Sequence, residues 1–170
     1  MIVILGNGGH ARVCMDILKY RFPTEKIESC QFDPAESFSS ESGLRYVIGV
    51  GDIWLRRRLY DEIMGGVIEV IHQTAILPFN RYSDYTQGAQ IMAGVVIQPY
   101  VLLGHNVLIN TGAQIDHDCI IGDHCHIAPG AILCGGVTVG EGAFIGAGAV
   151  IPEGRKIPDN AFVPAGTVFK

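Results

Sequence analysis

The chain has 170 residues and a formal net charge of −5; 48% of its residues are hydrophobic and only 17% are charged. That balance excludes a disordered chain, and no uninterrupted apolar run approaches the roughly 18 residues of a membrane span. The five cysteines (Cys14, Cys30, Cys119, Cys125, Cys134) form no CxxC pair, and no Lys/Arg cluster exceeds Arg56-Arg57-Arg58, which argues against a disulfide or zinc framework and against a nucleic-acid partner.

Met1 leads directly into Ile2-Val3-Ile4-Leu5, without the basic region and small-residue cleavage site of a signal peptide. With the unpaired thiols, this start points to a cytoplasmic location. Gly6-Asn7-Gly8-Gly9-His10 then opens a helical pattern carried by Val13, Ile17 and Leu18, so the segment reads as strand, Gly-rich turn and helix. A second strand is expected to end at Phe32-Asp33, and a third covers Tyr46 to Val50. A helix follows from about Ile53 to Met64, with the arginine triplet on a solvated face, and a fourth strand covers Val67 to Ile71. Alternating strands and helices predict a small parallel, Rossmann-like α/β unit over residues 1–76. Gly6 and Gly8 match the dinucleotide fingerprint, but Ala11 stands at the third glycine's place. The turn therefore has two readings. It binds a nucleotide-linked ligand at a helix N-terminus, with Asp33 near a ribose or base, or its glycines only close a turn.

The segment 77–170 is governed by a repeat. Steps of six from Ile91 reach Ile97, Leu103, Ile109, Ile115, Ile121, Ile127, Leu133, Val139, Ile145, Ile151, Ile157 and Val163 without an insertion. Four residues after each anchor stands Val, Ala, Cys or Thr, except at Arg155; three residues after it stands Gly, Asn or Asp, broken only by Tyr100 and His124. A helix needs apolar spacing near 3.6 and a two-faced strand a spacing of 2, so six fits neither. It fits a short strand and a tight corner, the corner held by residues that tolerate positive φ. Three strands per coil predict a mainly β prism about 20 Å tall. Residues from about Tyr85 add a partial coil below, and Leu77 to Thr86 is out of register and reads as a connection. The run resembles the hexapeptide-repeat superfamily, and that resemblance implies a left-handed parallel β-helix.

Among the six histidines, His117 alone is flanked by acids, in Asp116-His117-Asp118. A carboxylate beside an imidazole fixes one tautomer and raises its basicity, as a general base requires. Gly135 lies one coil of 18 residues after His117 and stacks on the same face, leaving a bare backbone N–H beside the imidazole. A base next to such a donor suits acyl transfer from a thioester. Asp118 also falls in the corner column, so it reads equally as a turn residue. Cys119 and Cys125 read as small packing residues, not nucleophiles. No two histidines are five apart, as the zinc sites of γ-carbonic anhydrases require, so no metal is expected. A non-catalytic hexapeptide scaffold is a further reading.

The whole chain resembles the bacterial sugar O-/N-acetyltransferases, typified by sialic acid O-acetyltransferase and the UDP-4-amino-sugar N-acetyltransferase of bacillosamine synthesis. The resemblance rests on Gly6-Asn7-Gly8-Gly9-His10, Val50-Gly51 with Arg56 following, Ile71-His72, and the run Asn110-Thr111-Gly112-Ala113-Gln114-Ile115-Asp116-His117-Asp118-Cys119-Ile120-Ile121-Gly122-Asp123. It implies His117 as general base with Asp118 as its carboxylate partner, and Gly135 as oxyanion donor. It places His126 and Asn110 near acetyl-CoA or the reacting centre, and Gly8, Gly9, His10, Asp33, Val50 and Gly51 around a UDP-amino sugar. It further implies a homotrimer with acetyl-CoA in the groove between prisms, and direct attack of a sugar amine on the thioester; O-acetylation is the alternative. Two departures stand out. Asp33-Pro34 replaces an acidic pair, and the sequence stops at Phe169-Lys170 without the further coil that relatives use to hold the coenzyme's distal end.

Overall fold

The computed structural model describes residues 1–33, 37–63, 65–78 and 87–170. The chain forms two compact units, Met1–Val70 and Ile71–Lys170. In the first, β1 (Ile2–Leu5), α1 (Gly9–Arg21), β2 (Ile27–Cys30), β3 (Arg45–Ile48) and α2 (Ile53–Ile63) follow in order. The sheet is parallel with order β2-β1-β3, and Ile2 lies opposite both Ile27 and Arg45. Ile2, Ile4 and Leu5 are fully buried, as an apolar central strand of a parallel sheet must be. Helix α1 turns Ala11, Cys14, Ile17 and Leu18 inward, a stripe at helical spacing. The Asp52 carboxylate accepts the Leu55 N–H at 2.8 Å and caps α2.

Two expectations for this unit are corrected. Arg56 is fully buried, and Arg57 and Arg58 are half-buried, so the triplet is not a solvated face. Arg56, Leu59 and Ile63 are spaced i, i+3, i+7 on the inward stripe of α2, which carries the arginine into the unit's interior. Among the described residues the sheet has three strands, not four. Val67 makes a single parallel bridge to Tyr46, and the next strand, β4 (Val70–Ile71), belongs to one of the prism's sheets. Met64, the expected end of α2, lies outside the described residues, as does Pro34.

The second unit is a parallel β-helix of about five coils, built from two-residue strands that pair with strands 18 residues away. Ile120 lies opposite Thr138, His126 opposite Phe144 and Ile132 opposite Val150, one pair on each of three sheets. Every anchor from Ile91 to Val163 is at most 5% exposed except the half-buried Leu103. The small residues Val95, Val107, Ala113, Cys119, Cys125, Ala131, Val137, Ala143 and Ala149 are fully buried beside them. Arg155, the exception in that column, is exposed.

All 13 corner positions have positive φ, including Tyr100 (66°) and His124 (60°). These two depart from the column in chemistry but not in conformation, because the coil geometry imposes a positive φ on whichever residue stands at the corner. The lower end also differs from expectation. Leu77 is in phase with Ile71, six residues before it, and both pack against the prism core with Ala75 between them. His72 N–H donates to Ile91 O and Ile76 N–H to Val95 O, each at 2.8 Å. Ile76 bridges Val96, an offset of 20 residues instead of 18, and this phase change hid the first repeat. The two compact units divide between Val70 and Ile71. The rest of the expected connection, 79–86, lies outside the described residues together with Tyr85. Gly88 (φ 73°) and the buried Ala89 extend the corner and small-residue columns downward.

Candidate active site

His117 stands immediately before the corner that joins two strands of one coil. Its Nδ1 lies 2.7 Å from Asp118 Oδ2. A carboxylate only accepts, so the neutral ring carries its proton on Nδ1 and presents a lone pair at Nε2. Asp116 Oδ1 accepts the His117 backbone N–H at 2.8 Å and lies 4.0 Å from Nε2. The Asp118 hydrogen bond first, then the Asp116 charge, raise the His117 pKa above the usual imidazole value. The imidazole is more than half exposed, so a substrate can reach it. Asp118 has φ 60°, so both readings of this residue hold at once: it turns the corner and it orients the histidine.

Gly135 lies one coil above. A Cβ built there would stand 2.8 Å from His117 Cε1 and 3.0 Å from Nε2. Its φ lies outside the left-handed region, so the imidazole and not the backbone demands glycine here. The neighbouring ladder bonds run from Gly136 N–H to His117 O at 2.9 Å and from Gly154 N–H to Gly135 O at 3.0 Å. At the equivalent positions His105, His117 and Glu141, an aspartate side chain accepts the outward N–H. Among the described residues no hydrogen bond is found for the Gly135 N–H. A cavity of about 220 Å³ runs beside this cluster, lined by Val96, Gln98, Gln114, Asp116, Ile132 and Cys134 among others.

Asn110 and His126 form a separate pair. Asn110 Nδ2–H donates to His126 Nε2 at 3.3 Å, and Asn110 Oδ1 accepts the Thr111 N–H at 2.8 Å. The His126 ring is nearly buried and meets Phe144 edge to face at 4.8 Å. This pair sits on the sheet of Leu108 and Phe144, a different sheet from the Ile115 strand that leads to His117. Cys119 and Cys125 are buried and donate to backbone carbonyls of Cys134 and Gly140. Among the described residues no group of three His, Cys, Asp or Glu side chains could hold a metal ion.

In the α/β unit, a cavity of about 410 Å³ opens at the carboxyl ends of the three strands and the N-terminus of α1. Gly8 is the N-cap and offers no side-chain cap, and the first residues of α1 line the cavity. Gly8, Gly9, His10, Val50 and Gly51, the residues that the resemblance assigns to the sugar nucleotide, line it; Asp33 is not among the lining residues, although Phe32 beside it is. Asn7, Gln31 and Gly49 also line it, and Asn7 Nδ2–H donates to Gln31 Oε1 at 3.1 Å. Gln31 escaped sequence reasoning because the second strand was expected to run on to Asp33. The strand ends at Cys30, and the residues after it fall in the crevice where parallel sheets bind ligands. Ala11 and Gly49 together do the third glycine's work: a Cβ on Gly49 would stand 2.8 Å from that of Ala11.

The family described as bacterial transferase hexapeptide (six repeats) matches residues 100–135 and 118–153. Perosamine N-acetyltransferase from Caulobacter crescentus, solved as a histidine-to-asparagine mutant with CoA and GDP-perosamine, is 33% identical with a TM-score of 0.82, over 99% of this chain and 88% of that one. The acetyltransferase domain of PglB from Neisseria gonorrhoeae, solved with acetyl coenzyme A, is 25% identical with a TM-score of 0.85, over 99% and 90%. WeeI from Acinetobacter baumannii, at 20% identity and a TM-score of 0.75 over 100% and 96%, shares the fold. The coiled prism and its repeat make the chain a hexapeptide-repeat acyltransferase. Within that class it belongs to the sugar acetyltransferase family that includes perosamine N-acetyltransferase.

Proposed function

We propose that this enzyme transfers the acetyl group of acetyl-CoA to the amino group of a nucleotide-linked amino sugar. The observation that carries the reading is the His117 imidazole, oriented by Asp118 and lying against the bare backbone of Gly135. The sugar amine attacks the thioester carbonyl carbon while His117 Nε2 takes its proton. The Gly135 N–H donates to the oxyanion that forms. Collapse of this intermediate breaks the C–S bond, and the imidazolium returns the proton to the departing thiolate. No acyl-enzyme is needed.

The cavity at the N-terminus of α1 is suited to the nucleotide's diphosphate, since the positive end of the helix dipole favours an anion there. A UDP-linked 4-amino-4,6-dideoxyhexose is the acceptor the sequence resemblance favours, while the perosamine enzyme's bound ligand is GDP-linked. The Rossmann-like unit thus selects the nucleotide. The left-handed prism, assembled as a cytoplasmic homotrimer, carries the reaction, with Asn110 and His126 toward the coenzyme. The test is thiol release from acetyl-CoA with UDP- and GDP-linked amino sugars as acceptors. Wild-type turnover is expected with one of them, and His117→Ala is expected to lower kcat by about 10² to 10⁴. Near-normal turnover in that variant would remove His117 from the mechanism.

A further inference from the structure

The corner ladder that holds Asp118 continues one coil down to Tyr100, the two residues being 18 apart. Asp118 N–H donates to Pro99 O at 3.3 Å and joins the two coils at that point. Pro99 therefore lies beneath His117, Tyr100 beneath Asp118 and Gln98 beneath Asp116. Tyr100 has φ 66° and is 58% exposed. A large aromatic gains nothing from the left-handed region, which costs it backbone strain, and an exposed ring gains little burial in return. Eight of the thirteen corners use glycine instead. Gln98 is exposed too and lines the cavity that runs past Asp116 and Cys134.

The two sides of His117 are not equivalent. Gly135, with the N–H that suits an oxyanion, is in the coil above. The thioester carbonyl oxygen belongs on that side, so the attacking amine must reach Nε2 from elsewhere. The coil below offers an aromatic face and a carboxamide. That is the chemistry that holds a sugar ring: its C–H face stacks on the aromatic, and its hydroxyls take the polar groups. We propose that Tyr100 is a specificity residue of the acceptor site, its ring forming the platform against which the acceptor sugar lies while His117 deprotonates it. This rests on the acetyl-transfer reading above.

Tyr100→Asn removes the ring and keeps a residue suited to positive φ, so the fold is expected to hold its thermal stability. With acetyl-CoA and an accepted nucleotide-linked amino sugar, the variant is expected to raise the acceptor KM about tenfold and leave the acetyl-CoA KM where it was. Tyr100→Phe, which keeps the ring, is expected to restore the acceptor KM. An unmoved acceptor KM in Tyr100→Asn, a rise confined to acetyl-CoA, or a loss in Tyr100→Phe equal to that in Tyr100→Asn each overturns the assignment while the function stands. A wild-type enzyme that acetylates no nucleotide-linked amino sugar overturns the function and this assignment together.

Discussion

Gly135 lacks a side chain because the His117 ring occupies the space one would fill. Gly135→Ala would press a methyl to within 2.8 Å of Cε1, and the exposed imidazole is the movable party. The expected result is a fall in kcat of roughly 10²-fold with little change in melting temperature, since the backbone at this position accepts alanine. Unchanged kcat would show that the ring needs no such seat. Asp118 sets the titration of the same ring. His117 must be neutral to accept a proton, so activity is lost as pH falls through its raised pKa. Removing the Asp118 charge lowers that pKa, so Asp118→Asn should move the acid limb of kcat/KM to lower pH while reducing its plateau. Asparagine suits the φ of 60°. A limb that stays in place would mean that Asp116 alone sets the pKa. The His117–Asp118–Gly135 group was legible in sequence because an unbroken repeat tells which residues stack. Arg56 was not, because the inward face of α2 depends on what packs against it.

Among elements, β3 and α1 are linked by a close approach at Gly49. A Cβ on Gly49 would stand 2.7 Å from Ile4 Cγ2 and 2.9 Å from Ala11 Cα, a backbone atom that cannot swing aside. Gly49→Ala is therefore expected to cost about 1–3 kcal/mol of stability and to spoil the cavity that Gly49 lines. Thermal unfolding together with calorimetry of nucleotide binding measures both, and a variant with native melting and affinity would contradict the close packing. The sequence reads a glycine and an alanine in this region without revealing that they face each other. The opposite holds for the prism. Its strands, corners and small-residue column were all visible, because each coil repeats one local solution. Only the change of phase between Ile71 and Ile91 interrupted that legibility, which is why Leu77 was misread.

For the whole molecule, the outer faces of the prism carry apolar residues that one chain leaves uncovered. Leu102 and Ile120 are neighbours on one sheet, 44% and 47% exposed, and Ile132 and Val168 stand on another. The proposed homotrimer would cover such aligned rows. Light scattering is expected to give the mass of three 18.3 kDa chains, with Ile120→Asp shifting it toward one. A wild-type mass of one chain at working concentration would overturn the homotrimer and any site shared between prisms. Among the described residues no helix is long and apolar enough to cross a membrane.

The amino-acid sequence by itself determined the coiled prism, its corners and the stacking of His117, Asp118 and Gly135. The six-residue period is a local steric rule, and its repetition sets the long-range order without further information. The tertiary structure decided what depends on contacts between dissimilar elements: the buried Arg56, the pairing of Gly49 with Ala11, and the place of Gln31 and Phe32 in a cavity from which Asp33 is absent. It also showed that Tyr100 and His124 share the corner geometry; at His124 both neighbouring coils hold the backbone, through His124 N–H to His105 O and Gly142 N–H to Asp123 O.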